Sequence, residues 1–323
     1  MLTRMAVRSL ILPLILSLCA SALTMSQPLP NGPIQAELTK QLWDITVQTS
    51  ATEETAALVN QAWSSERQRG EDIKLKRTLV PYQHDGANMS GVLVYPEERQ
   101  GKIPGVLVAH TAAGTMDDFF LYCLDRVARM GYVAFGADVY AQGSSISMFD
   151  AVEARSARRA LHDRGVIQGR IKAAHDVLTT GLPDRLVDTS RIAALGFCFG
   201  GLCVLDLARM GTDLKATITV HGILKPPPPQ LNPAGEIRGR VLVLTGQADP
   251  MVPPKALAEF EAEMRDRHAD HEIHSFPGVL HAFTRPEKVD EEERRKGLAF
   301  DEQASNESWV AIADLLGEVF TQP

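Results

Sequence analysis

The sequence predicts an α/β domain built on a doubly wound, mostly parallel sheet that opens with an antiparallel hairpin. Four apolar runs without polar alternation, Gly105 to Ala109, Val133 to Ala137, Ile192 to Leu195 and Val241 to Leu244, suit strands buried on both faces. Segments of helical pattern at about residues 117–130, 165–179, 201–210, 254–267 and 303–320 alternate with them. Strand and helix in turn imply right-handed crossovers, and in such a sheet ligands bind beyond the carboxyl ends of the strands.

Along the chain, the first 22 residues read as a secretory signal. Arg4 and Arg8 supply positive charge, the apolar run Leu10 to Leu18 follows, and Ala20-Ser21-Ala22 offers small residues for cleavage. From Leu10 to Leu23 the stretch is 14 residues, short of the roughly 20 that a spanning helix needs. The expectation is a periplasmic or secreted protein with no stable membrane association after cleavage; a start at Met25 would leave it cytoplasmic. Residues 23–71 form a tail rich in Pro, Gly and polar residues, then a helical extension marked by Leu38, Leu42, Trp43, Ile45, Leu58, Val59 and Trp63.

The main domain is expected over 72–323. Leu79 to Tyr82 and Gly91 to Tyr95 flank the turn residues His84 to Asn88, which predicts the hairpin. Ala216 to Val220 and Glu272 to Phe276 supply two further strands. Pro226 to Pro229 and the charged run Asp290 to Lys296 read as solvated loops.

Composition narrows the function. A formal net charge of −7 without a concentrated basic patch argues against nucleic acid or an anionic membrane as partner. The cysteines are Cys19, Cys123, Cys198 and Cys203. Removal of the signal leaves an odd number, so at least one thiol is unpaired within the chain. Their spacing contains no CxxC pair and fits no zinc pattern. His268, His271 and His274 recur every third residue, but in a strand that separation puts side chains on opposite faces, so no metal is expected.

The chemistry concentrates in Arg191 to Gly201, RIAALGFCFGG, where a buried strand passes through a sharp turn into a helix. Gly196 and Gly200 stand two residues either side of Cys198, the spacing of a nucleophile elbow. A helix N-terminus beside the thiol stabilises a thiolate and an oxyanion alike. Asp249 follows the strand Val241 to Leu244, and His281 sits in a loop after the last strand. Nucleophile, acid and histidine thus occur in the chain order of α/β hydrolases. His221, at a strand end beside Gly222, is a candidate pocket residue or a plain hydrogen-bonded histidine; Asp138 and Tyr140 read as packing residues.

Over about residues 75–322 the chain resembles the dienelactone hydrolase family. The resemblance rests on GFCFGG at 196–201, GQADPMVPP at 246–254, HAFTRP at 281–286 and VAHTAAG at 108–114. It implies an α/β-hydrolase fold with Cys198 as nucleophile, His281 as base and Asp249 orienting the base. It further implies an oxyanion hole from the backbone N–H groups of Ala112 and Phe199, and Arg285 as the holder of a substrate carboxylate. The matching position of a family glutamate, which helps switch the cysteine between thiol and thiolate, is Thr111, beside the substrate; a hydroxyl cannot exchange a proton near neutral pH as a carboxylate does. The implied reaction is hydrolysis of a small ester or lactone through a thioester intermediate, with no cofactor. A general carboxylesterase or thioesterase on the same triad, and a binding protein with a vestigial triad, remain as alternatives.

Overall fold

The computed structural model describes residues 73–115, 117–141, 163–182, 186–232 and 235–321. The expected signal segment and helical extension lie outside the described residues.

Hairpin strands β1 (Leu75–His84) and β2 (Ala87–Pro96) pair antiparallel in continuous register from Leu75 against Pro96 to His84 against Ala87. Between them Asp85 and Gly86 carry φ of 47° and 73°. A two-residue turn with both angles positive matches the twist of the flanking strands, which is why an Asp-Gly pair serves there.

There follow β3 (Ile103–Ala109), α1 (Asp118–Arg129), β4 (Val133–Ala137), α2 (Arg164–Asp176), β5 (Val187–Phe197) and α3 (Phe199–Arg209). Then come β6 (Ala216–Val220), β7 (Arg240–Gly246), α4 (Pro254–Asp266), β8 (Asp270–Phe276), α5 (Glu291–Arg295) and α6 (Glu302–Thr321). The strands form one sheet in the order β1-β2-β4-β3-β5-β6-β7-β8, antiparallel as far as β4 and parallel beyond it. The α/β fold expected from the sequence is therefore present. α5 occupies part of the charged run expected as a loop: Asp290 Oδ1 caps the Glu293 N–H, with acidic residues in the first turn and basic residues in the last, as the helix dipole favours.

Both sheet faces are covered, which accounts for the unbroken apolar runs. Ile192 and Ala194 of β5 join the cluster containing Ile167 and Ile171 of α2 and Val204 and Leu207 of α3. Phe197, on the opposite face, packs on Phe119 of α1 at 5.3 Å and Trp309 of α6 at 5.7 Å between ring centroids. Helix α3 is further fixed by a buried ionic network. Asp206 accepts from Arg164 Nη2 at 2.7 Å and from Arg209 Nη1 at 3.3 Å, and Arg209 Nη2 donates to Glu263 Oε2 of α4 at 2.8 Å.

Candidate active site

The carboxyl ends of β3, β5, β7 and the segment after β8 converge on Cys198. The thiol residue stands between β5 and α3 at φ 55°, ψ −116°. Such a backbone costs a non-glycine residue about 1–3 kcal/mol and persists only where surrounding structure enforces it. Here Cys198 N–H donates to Val220 O at 3.0 Å, and Gly201 N–H donates to Cys198 O at 3.0 Å. The glycines allow the crowding: a Cβ on Gly196 would stand 2.1 Å from Gly200 O, and one on Gly200 would stand 2.1 Å from Ala109 O.

Asp249 follows β7 in a tight turn, with Oδ1 accepting from Met251 N–H at 2.8 Å and Oδ2 bonded to His281 Nδ1 at 2.7 Å. The loops that bring these two together touch at Gly246, where a Cβ would lie 2.1 Å from Val279 O. Ala248 N–H donates to Val279 O at 3.0 Å. His281 is also tied into the chain ahead, its N–H donating to Gly297 O and its carbonyl accepting from Ala299 N–H, both at 3.0 Å.

With Nδ1 engaged by Asp249, Nε2 of His281 is buried without a partner at full hydrogen-bond geometry, and the group that faces it is the Cys198 thiol. The thiol is close enough for the two to shift one another. Burial acts to raise Cys198, but His281, then the N–H groups of Phe199 and Ala112, outweigh it and hold the thiol below its ordinary range. Burial likewise opposes a charged His281, yet Asp249 and Cys198 push it up to about 10. A thiolate beside an imidazolium is the state these shifts favour. By contrast, Cys123 and Cys203 are buried and their thiols are pushed well above the ordinary range by desolvation.

The dienelactone hydrolase family model matches residues 89–320. This chain belongs to the dienelactone hydrolase family. A putative carboxymethylenebutenolidase of Yersinia pestis is 25% identical over 65% of this chain and 79% of its own length. A probable 2-oxo-3-(5-oxofuran-2-ylidene)propanoate lactonase of Bradyrhizobium is 27% identical over 57% of this chain and 74% of its own. Among solved structures, the dienelactone hydrolase-like promiscuous phosphotriesterase P91 from metagenomic libraries shares 32% identity, covers 76% of this chain and 99% of its own, and superposes with a TM-score of 0.68.

The segment after β3 carries the other residues that the family resemblance singles out. Ala112 N–H and Phe199 N–H both lie at the Cys198 sulfur. The orientation of the Ala112 N–H has a cause that sequence reading missed. His110 Nδ1 lies 2.6 Å from Thr111 O while Val139 N–H donates to His110 Nε2 at 3.2 Å. The ring is therefore neutral, with its proton on Nδ1, and pins the Thr111 carbonyl; in a planar trans peptide the following N–H then points the opposite way. Burial holds His110 below its ordinary pKa, which keeps the ring neutral. Tyr140 donates from its hydroxyl to Ala112 O at 3.1 Å and stacks on Phe199 at 5.6 Å, so it braces both N–H bearing residues. Asp138 supports Tyr140 through Oδ1, which accepts from Tyr140 N–H at 3.0 Å. A histidine directly after a buried strand was the available signal for His110.

Thr111 and Arg285 meet each other: Arg285 Nη1 donates to Thr111 Oγ1 at 3.0 Å. The rest of the guanidinium is also engaged, Nη2 donating to Asp117 Oδ1 at 2.9 Å and Nε to Glu287, with Phe119 beneath it at 5.0 Å. Three of the five N–H groups of Arg285 thus already have protein acceptors, two of them carboxylates. Among the described residues no group of three or more His, Cys, Asp and Glu is placed to hold a metal ion.

Proposed function

We propose that this protein hydrolyses a small ester or lactone through a thioester on Cys198. The observation that carries the reading is the linked set of Asp249, His281 and Cys198, in which the pKa shifts of thiol and imidazole favour an ion pair beneath two backbone N–H donors. Family membership and the lactonase name borne by a relative agree with it.

In this mechanism the Cys198 proton resides on His281 and the thiolate attacks the carbonyl carbon. The carbonyl π pair moves to oxygen, and the N–H groups of Ala112 and Phe199 receive the oxyanion; each such donor contributes roughly 3 kcal/mol to lowering the barrier. Collapse breaks the acyl C–O bond, and the departing alkoxide takes the proton from His281. In a lactone it stays tethered to the acyl group. His281, now neutral, accepts a proton from water as the water attacks the thioester, and thiolate leaves as the acid forms. Asp249 fixes the Nδ1 tautomer and supports the positive charge on the ring. Thr111 and Arg285 form a wall beside the oxyanion loop. The Thr111 hydroxyl replaces a proton-switching carboxylate, and activation of the thiol falls to His281.

Hydrolysis of nitrophenyl acetate, followed by mass spectrometry of acid-quenched protein, tests the proposal. An acyl adduct on Cys198 and loss of turnover in Cys198→Ala are expected. Wild-type turnover in Cys198→Ala would overturn the assignment.

A further inference from the structure

Strand β1 lies at the edge of the sheet, separated from β3 and the oxyanion loop after it by β2 and β4. One of its side chains nevertheless reaches the residues that support that loop. We propose that Tyr82 of β1 and Asp138 are positioning residues for the oxyanion hole, holding the Ala112 N–H in place through the segment Asp138-Val139-Tyr140. The inference rests on the ester-hydrolase reading.

The arrangement starts where the ladder stops. β2 pairs with β4 from Val94 against Ala134 to Val92 against Gly136, and β4 ends at Ala137. Two residues further, the same register would set Ser90 opposite Asp138. There the aspartate side chain takes over, its Oδ2 accepting from Ser90 N–H at 3.0 Å. Off the ladder, the Asp138 N–H and C=O need other partners. Both find the Tyr82 hydroxyl, which accepts from Asp138 N–H and donates to Asp138 O, each at 3.0 Å. The Tyr82 ring meets Phe135 at 6.2 Å between centroids, and a Cβ on Gly91 of the intervening β2 would stand 2.4 Å from Phe135 Cζ. Glycine there leaves room for the crossing.

From Asp138 two paths lead to Ala112. Along the first, Oδ1 accepts from Tyr140 N–H at 3.0 Å and from Ala141 N–H at 2.9 Å, fixing the turn from which the Tyr140 hydroxyl donates to Ala112 O. Ala141 has φ 62°, a left-handed conformation that a non-glycine residue keeps only where its surroundings enforce it. Along the second, Val139 N–H donates to His110 Nε2, on the ring that pins Thr111 O, while Val139 O accepts from Arg170 Nη1 of α2 at 2.8 Å. Ala112 is thus held on both sides, the peptide before it by His110 and its own carbonyl by Tyr140.

The chemistry of the junction calls for these two residue types. Ser90, Tyr140 and Ala141 present three N–H donors to the Asp138 oxygens. A carboxylate accepts at both oxygens, whereas an amide would turn an N–H against one of the donors. Asp138 is 1% exposed, and burying a carboxylate is costly unless its hydrogen bonds are met. Packing alone would be served by an apolar residue. Tyr82 must donate and accept at once, which a hydroxyl does. Burial, with the Asp138 charge adding, pushes that hydroxyl above its ordinary range, so the donated proton stays in place. Arg170 answers the charge from α2, where Asp138 opposes the burial that lowers the guanidinium.

The test separates the hole from the thiol. Turnover of nitrophenyl acetate needs both, whereas methyl methanethiosulfonate, which has no carbonyl, reads the Cys198 thiolate alone. Tyr82→Phe and Asp138→Asn should each lower kcat/KM for the ester about tenfold or more, the scale of a small misplacement, with thiol modification within about twofold of the wild type. Tyr82→Phe, at the sheet edge, keeps the test open should Asp138→Asn fail to fold. Added to Tyr140→Phe, Tyr82→Phe should cost less than it does alone, because contacts on one path are not additive. Arg77→Ala frees β1 from Asp125 of α1, to which Arg77 Nε donates at 2.9 Å, and should leave turnover unchanged. An equal loss in Arg77→Ala, full multiplication of the two tyrosine losses, or ester and thiosulfonate rates that fall together would overturn the inference. A readout independent of turnover is the affinity for butanal, which adds to the Cys198 thiol as a thiohemiacetal with its oxygen in the hole and protects it from the thiosulfonate. Binding about tenfold weaker in Tyr82→Phe is expected. Equal affinity would overturn the positioning role by itself, while cleavage of no ester by the wild type would defeat the hydrolase reading.

Discussion

His221 Nε2 lies 2.8 Å from Thr284 Oγ1, and its ring meets the His281 imidazole edge-on with 5.0 Å between centroids. Burial, then the neighbouring positive charge of His281, pushes His221 well below its ordinary pKa, so it stays neutral beside an imidazole that carries charge. It both packs on His281 and ties down the loop three residues further on.

Replacing this contact should therefore disturb the geometry of the base. His221→Phe keeps an aromatic body but loses the bond to Thr284; kcat should fall about 10- to 100-fold with KM little changed, the scale of a small misplacement of reacting groups. His221→Gln can still bond the hydroxyl and should recover part of the loss. Equal losses in both, accompanied by lower melting temperatures, would indicate a purely structural role.

The pH profile follows from the opposed shifts of the Cys198 and His281 pair. Cys198 is lowered, so the thiolate persists to lower pH than an ordinary cysteine allows, while His281 keeps its proton until pH approaches about 10. kcat/KM should rise along one acid limb lying below the usual thiol range and decline on the alkaline side near pH 10, both limbs belonging to the pair. Iodoacetamide at neutral pH should label Cys198 rapidly and leave the raised, buried Cys123 and Cys203 unmodified. An acid limb near the ordinary cysteine value of about 8.5 would show that the ion pair does not form.

Two glycine substitutions should act in opposite directions. Gly200→Ala drives a methyl into backbone atoms, 2.1 Å from Ala109 O and 2.7 Å from His110 O, and should cost at least roughly 1–3 kcal/mol along with most activity. Gly317→Ala, within α6 and with nothing inside 4 Å of the new Cβ, should stabilise by about 0.5–1 kcal/mol through helix propensity. Chemical denaturation of the two variants checks both signs.

Asp206→Ala removes the carboxylate shared by Arg164 and the fully buried Arg209. Loss of one partner from a buried ionic group typically costs about 3–5 kcal/mol, because a charge is left unanswered. Glu263 still holds Arg209 and should keep the loss at the lower end. Thermal melts should show it, with the remaining folded fraction retaining KM.

The central strands were readable because both their faces are buried: β4 and β6 occupy the residues that their apolar runs predict. Others proved longer. β5 begins at Val187, where Asp188, Ser190 and Arg191 look like a loop because their side chains interact with one another at the edge of the apolar region. That Cys198, Asp249 and His281 come together was legible from residue type and order along the chain. Arg285 shows what sequence reading omits. Whether a guanidinium is open to a ligand depends on Asp117 and Glu287, and only folding reveals that the former, from a segment far away in the chain, reaches it. His110 carried only the signal of a histidine directly after a buried strand, because its partners are a carbonyl and an N–H, which leave no mark on residue identity.

The contact of Gly200 with Ala109 O has a consequence for how such a protein can change over generations. Backbone rests on backbone there, between the segments that carry the Phe199 and Ala112 N–H groups, so their separation depends little on which side chains surround them. Substitutions can thus accumulate in the side chains around the reactive centre while the backbone itself holds the spacing of the two donors, a separation that makes the scaffold suited to directed evolution.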